Sequence, residues 1–429
     1  MSIPPHPRWG HTIDSAPSYS LESLVDVAVD KELAGLLAME MISRLATEAP
    51  TSDEAGLERD INTSTLESAL LLALDPATIR HLANPPVISG CIQLLKSAAK
   101  QRKKGESPFS YEYGSLCFSI ILFCFDICLL ERFNMLDETL ATRERTADVP
   151  VYVDTSLKLA SILEDQFTIL NRRADCDWIF GWSSSPSHHL YPPILPRSDI
   201  SDLMNVIWDD RWYILTVSRM SSLLFLLSRY VFHERVSRHN PDGEALQLKL
   251  YELALRSLFA ASPSHRAISM HIVNTNEVSY KWTNTPKQID AQDSRLIMSE
   301  YIKQLSDNSD PSFLLGNIPA MMLRLVAPVA SAETQDLLPD AIRCTMIYAW
   351  TLLTVLEIRN EVVTFAKFLF DHLHTFMQPP PGSPYRLIPS VRKEIMDIFH
   401  GGELLDWVAR AIIRLDPNDP DSAARASPF

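Results

Sequence analysis

The stretch from Gly114 to Glu131, GSLCFSIILFCFDICLLE, constrains this chain more than any other, because so long an apolar run has only two homes: a lipid bilayer or the interior of a helical body. Its apolar core, Leu116–Leu130, falls short of the roughly 20 residues that a bilayer span needs, and Asp126 lies within it. A carboxylate at mid-span costs about 3 kcal/mol on insertion scales. At about 100° per residue, Ser115, Ser119 and Asp126 fall within one narrow sector, with Cys117, Cys124 and Cys128 on roughly the opposite side. A helix with one thin polar edge is a helix surrounded by neighbours, so the sequence predicts a buried core helix and no membrane span. Buried there, Asp126 must be hydrogen-bonded or paired. Asp126, Ser119 and Ser115 therefore form a candidate buried polar site, with Arg219 or Arg229 as the charge that answers the carboxylate.

Composition narrows the fold around that helix. The chain holds only 12 glycines against 29 prolines, which leaves few tight turns with positive φ and little scope for Gly-rich phosphate loops. Proline instead punctuates helix starts and the loops between them. A formal net charge of -14 repels nucleic acid and anionic lipid, so no nucleic-acid partner is expected. The opening MSIPPHPRWGHT has no apolar signal region. The six cysteines sit mostly in apolar helical segments without a disulfide-framework spacing, which points to an intracellular setting, cytoplasmic or nuclear.

In chain order, residues 1–20 are expected to form a loose N-terminal arm, 21–182 an N-terminal helical part, 183–197 a Pro/Ser-rich loop, 198–414 a C-terminal helical part and 415–429 a disordered tail. Helices are predicted over 21–45, 66–74, 76–82, 87–104, 155–173, 198–208, 212–232, 245–261, 294–304, 311–326, 339–358, 361–377 and 391–413, with a helix start capped by Thr65. Residues 267–282 stay open. Ile268, Met270 and Ile272, then Val278, Tyr280 and Trp282, alternate with polar residues as in a small β-hairpin, although a helix from Pro263 suits the neighbours better.

A grammar recurs without a fixed period: a proline near a helix start, an apolar helix, then a short polar turn. Asp75-Pro76, Asn84-Pro85, Asp310-Pro311 and Pro339-Asp340 carry it. Over about two-thirds of the chain this resembles α-solenoids of the armadillo or HEAT kind. The resemblance implies an all-α fold of stacked antiparallel helices, α-solenoid-like or an irregular helical array, and carries no function with it.

Motifs for chemistry are scarce. Cys117, Cys124 and Cys128 share a helix side, yet no close Cys pair or histidine pair stands beside them, so core packing is expected and no metal. Lys100, Arg102, Lys103 and Lys104 (KQRKK) form a candidate nuclear-import cluster, or a solvated helix end that complements the dipole before Gly105. In Trp208-Asp209-Asp210-Arg211-Trp212 the Asp pair looks like the start of the magnesium-binding run of terpene synthases, but the third carboxylate is missing, Tyr213 standing in its place. His233-Glu234 lacks the histidine one turn on that a metalloprotease helix needs, and neither His188-His189 nor His372 with His374 shares a helix face. No catalytic, cofactor-binding or metal residue is assigned. Three readings follow: a non-catalytic protein-binding or scaffold protein; an all-α enzyme or small-molecule binder with an apolar pocket between helices; and a nuclear regulatory domain, tested by the nuclear share of a Lys103→Ala, Lys104→Ala chain.

Overall fold

The computed structural model describes residues 6, 8–13, 31–47, 58–101, 107–143, 150–170, 176–183, 191–285, 289–307, 313, 317–355, 359–377, 386–401 and 404–413. The fold is all-α. Among the described residues there is no sheet, only the isolated bridges His6↔Gly10 and Thr12↔Tyr111. The chain divides into two compact units, Met1–Tyr213 with Val217–Leu250 and Ser264–His271, and Ile214–Thr216 with Tyr251–Pro263 and Ile272–Phe429.

The first unit is built from α1 (Lys31–Thr47), α2 (Thr63–Leu71), α3 (Pro85–Gln101), α4 (Glu112–Arg132), α5 (Leu136–Arg143), α6 (Val151–Leu170), α7 (Arg197–Asp209) and α8 (Ser221–Phe232). Helices α9 (Gly243–Ser257) and α10 (Pro263–Val273) follow in sequence. Helix α4 is the opening apolar run, packed against α2, α3, α6 and α8. Phe118, Phe125, Ile120 and Leu130 are fully buried, each worth about 1.5–3 kcal/mol relative to an exposed side chain. Glu112 in its first turn and Arg132 in its last complement the helix dipole. At 21 residues the helix is long and apolar enough to cross a membrane, which corrects the length argument made from Leu116–Leu130. Burial is what distinguishes it, since 89% of its most apolar window lies inside the unit. Nearby, Gly90 lets α3 approach α1 closely: a Cβ there would sit 2.1 Å from the Ile42 carbonyl oxygen.

The second unit carries α11 (Asn276–Asn284), α12 (Ala291–Asp307), α13 (Ile318–Val326), α14 (Leu338–Val355), α15 (Arg359–Met377), α16 (Pro389–Gly401) and α17 (Leu404–Ile413). Its interior includes a fully buried ion cluster. The Arg256 guanidinium donates to Glu252 Oε1 at 2.9 Å and to Asp293 Oδ2 at 2.8 Å, and Trp282 Nε1 donates to Glu252. Such a buried charge holds only because its partners are complete.

Several expectations are corrected. The hairpin near 267–282 is absent: α10 and α11 occupy it, Pro263 setting the first turn of α10. Val278 and Trp282 are buried while Tyr280 between them is 74% exposed, which is the i, i+4 period of a helix read as alternation. The helix expected over 212–232 breaks at 217–220, between a 3₁₀ turn at Arg211–Thr216 and the start of α8. That over 391–413 divides into α16 and α17, and 76–82 forms only the 3₁₀ turn Ile79–Leu82. Asn62, rather than Thr65, caps α2, its side chain accepting from the Thr65 backbone N–H at 3.1 Å. Within the stretch expected to be a loose arm, residues 6 and 8–13 are docked: Trp9 is buried, and Arg8 donates to Glu58 Oε1 at 2.9 Å and to the Tyr113 hydroxyl. Residues 184–190 of the loop expected at 183–197 and all of the tail at 415–429 lie outside the described residues.

Candidate functional site

The first unit gathers five polar side chains around Asp126. Helix α4 supplies Asp126, α6 Ser156, the start of α8 Ser221 and Ser222, and α10 His265; all are buried. The break at 217–220 adds Arg219, whose guanidinium carbon lies 4.4 Å from the Phe123 ring centroid and 4.6 Å from that of Tyr152. The Ser222 hydroxyl donates to Asp126 Oδ1, and Ser156 donates to the same carboxylate. With its proton committed to Asp126, Ser156 Oγ accepts from His265 Nε2–H at 3.2 Å. His265 Nδ1 is left as an acceptor for the Ser221 hydroxyl at 2.7 Å. The hydrogen-bond chain therefore has one direction, from Ser221 through His265 and Ser156 to Asp126.

Burial pushes the Asp126 carboxyl up to about 6, against the pull of Ser222, Arg219 and Ser156. Burial, helped by the Arg219 charge, holds His265 down at about 4. At neutral pH the cluster thus holds an ionised Asp126, a cationic Arg219 and a neutral imidazole. Asp126 does not touch His265 directly, and the Ser156 hydroxyl is donated to the carboxylate, so the hydroxyl that the imidazole accepts from is that of Ser221. The arrangement ties four helical elements together as a buried brace.

Of Asp126, Ser119 and Ser115 only Asp126 belongs to this cluster, and of the two candidate arginines only Arg219 does. Ser115 accepts from the Tyr213 hydroxyl at 2.9 Å. Ser119 is half-buried on the same edge. The sector is shared, but Ser115 and Asp126 stand about 16 Å apart along the axis at ~1.5 Å per residue, so one polar edge serves separate partners. Arg219, not Arg229, is the charge facing Asp126. Arg229 forms a two-pronged pair with Asp177 at 2.7 and 2.9 Å, and His233 Nε2 lies 2.6 Å from the same carboxylate, which these neighbours hold below its ordinary range despite burial. His233 begins a short π-helical turn, His233–Ser237, in which buried Glu234 meets Arg197 and Asn240. Nothing in the spacing of Ser156, Ser221, Ser222 and His265 announces their meeting; the one local signal is the run of hydroxyl residues at 216, 218, 221 and 222, which marks the helix break.

Cys117, Cys124 and Cys128 are free, buried thiols, Cys117 hydrogen-bonded to the Cys91 thiol and Cys128 pushed up to about 12 by burial. Among the described residues no group of His, Cys, Asp or Glu is arranged to hold a metal. Lys100 is exposed in the last turn of α3; Arg102, Lys103 and Lys104, like His188 and His189, lie outside the described residues.

The second unit presents a different surface. Between α14 and α16 lies a groove of about 320 Å³ lined by Arg343, Met346, Ile347, Trp350, Ile398 and Gly401. Positions 343, 346/347 and 350 form one face of α14, and 398 and 401 one face of α16. Ile347 is 61% exposed, against 2% for Met346 beside it. Arg343 is held at one side by Asp340 and by Glu394, 3.8 Å away, so the groove is apolar with a charged rim. A Cβ on Gly401 would meet nothing within 4 Å. No known protein-family model matches this chain, and neither a curated protein nor a solved structure matches it.

Proposed function

We propose that this chain is a non-catalytic protein-binding module, α-solenoid-like in its helix stacking and intracellular, which takes apolar side chains of a partner protein into the groove between α14 and α16. The observation that carries this reading is Ile347: a large apolar side chain left 61% exposed in the wall of a groove that also holds Trp350. Anchoring of partner side chains in apolar clefts beside aromatic residues, with a charged rim, is the usual anatomy of a protein-binding hot spot. Asp126, His265 and the three serines around them are buried and bonded to one another, which supports a bracing role for that cluster.

Gly401→Leu tests the reading. A Cβ there meets nothing within 4 Å and Gly401 lines the groove, so the added side chain is expected to narrow the groove without a clash. Proteins that co-purify reproducibly with the wild-type chain after crosslinking are expected to be lost from the Gly401→Leu chain at unchanged thermal stability. An undiminished set of partners would remove the groove from the function.

A further inference from the structure

Helix α17 is apolar on two sides. Trp407 and Ala411 are buried, and Trp407 Nε1 donates to the Ala349 carbonyl oxygen at 2.9 Å, so this side is fixed on α14. The other side carries Leu405, Ala409 and Ile412 at i, i+4, i+7, with Ile413 next to them; Leu405 is 81%, Ile412 58% and Ile413 79% exposed. A stripe of this kind in water calls for a cover. Its flank names the cover. Asp406 and Arg410, both exposed, stand one turn apart on the same edge of the stripe, the Arg410 guanidinium carbon 5.3 Å from the Trp350 ring centroid with its edge open to solvent.

We propose that the cover is α17 of a second copy of this chain, packed antiparallel across a two-fold axis near Val408–Ala409. In that register Leu405 of each copy faces Ile412 of the other, and the small Ala409 lies at the crossing point, where the two backbones come closest. A two-fold axis between antiparallel helices keeps the same flank of both on one side, so Asp406 of each copy meets Arg410 of the other, and the two oppositely charged pairs form together. A parallel two-fold pair would instead carry the two Asp406–Arg410 flanks to opposite sides of the contact, where neither charge meets its counterpart. The charge pattern therefore favours the antiparallel second copy. One ten-residue helix face is smaller than the roughly 800 Å² per partner of a standard interface, so the dimer is expected to be a reversible one of micromolar strength.

Sedimentation equilibrium of the full chain, with circular dichroism as the check on folding, tests this. The wild type should show a concentration-dependent monomer–dimer equilibrium. Leu405→Lys with Ile412→Lys, both at exposed positions, should weaken it by at least about tenfold with the fold intact. Asp406→Arg alone and Arg410→Asp alone should each weaken it, because each sets like charges against each other. The double variant Asp406→Arg, Arg410→Asp should restore it. A wild type that stays monomeric at about 100 µM, whether the stripe then serves another protein or a lipid surface, overturns the proposal. So does a dimer indifferent to the Lys substitutions, and so does a charge-reversed double variant no tighter than its parents.

Discussion

Helices α4 and α17 are both strongly apolar, and their surroundings differ in kind. Sixteen residues of α4 are buried, so that nearly every side of it faces another side chain, whereas α17 buries Trp407 and Ala411 and leaves Leu405, Ile412 and Ile413 in solvent. Apolar content does not separate the two. The polar company does: Asp126 of α4 is answered by Ser222, Ser156 and Arg219, as burial of a carboxylate demands, while Asp406 and Arg410 of α17 remain exposed beside an uncovered stripe. One helix holds its unit together, and the other leaves an apolar face in solvent.

The contrast can be broken first at the core. Phe125→Ala removes a fully buried ring stacked at 6.2 Å on Phe180, and should cost about 3–5 kcal/mol in urea unfolding. A loss under about 1 kcal/mol would mean that α4 is not the packed centre of its unit.

The polar brace makes the next largest expectation, and it is one of sign. Asp126 rises on folding from 3.8 to about 6, so the folded state binds more protons, and stability due to this group falls as pH rises through that window. His265 drops from 6.5 to about 4, so its contribution falls as pH decreases through nearly the same window. Each amounts to about 3 kcal/mol at ~1.4 kcal/mol per pH unit, and in the wild type the two offset each other. Single variants uncouple them. Relative to wild type, Asp126→Asn should lose stability as pH falls from 6 to 4, and His265→Gln should gain it; parallel pH profiles for both variants would contradict the wiring described for the cluster.

At the exposed end the effect should be smallest. Leu405→Ala is expected to change monomer stability by no more than about 0.5 kcal/mol, since the side chain is 81% exposed. A cost comparable to that of Phe125→Ala would place α17 in a core and erase the difference between the two helices.

Much of this architecture is legible in the sequence, and its gaps have local causes. The all-α class follows from apolar periodicity and scarce glycine, and Asp126 stands out because a carboxylate in an apolar helix demands partners. Among its partners only Arg219 is legible, as one of two candidate arginines; the others are not. Ser156, Ser222 and His265 lie 30 or more residues from Asp126 in sequence, and only tertiary packing brings them together. The strand-like alternation over 267–282 misleads because Val278 and Trp282 satisfy a period of two and a helical i, i+4 spacing equally well; the exposed Tyr280 between them separates the cases only once burial is known. The groove is hidden for a similar reason. Ile347 and Trp350 read as ordinary core positions of an apolar helix, and nothing in their spacing tells that Ile347 remains uncovered.

The most direct measurement places a photo-crosslinking amino acid at position 347 of the full chain in cells, with a second chain carrying the same group at the exposed Lys100 as control. If the groove is the partner site, position 347 captures a defined set of proteins that Lys100 does not, and Gly401→Leu abolishes the capture. Identical products from both positions, or capture at 347 that survives Gly401→Leu, would contradict the assignment of function to this groove.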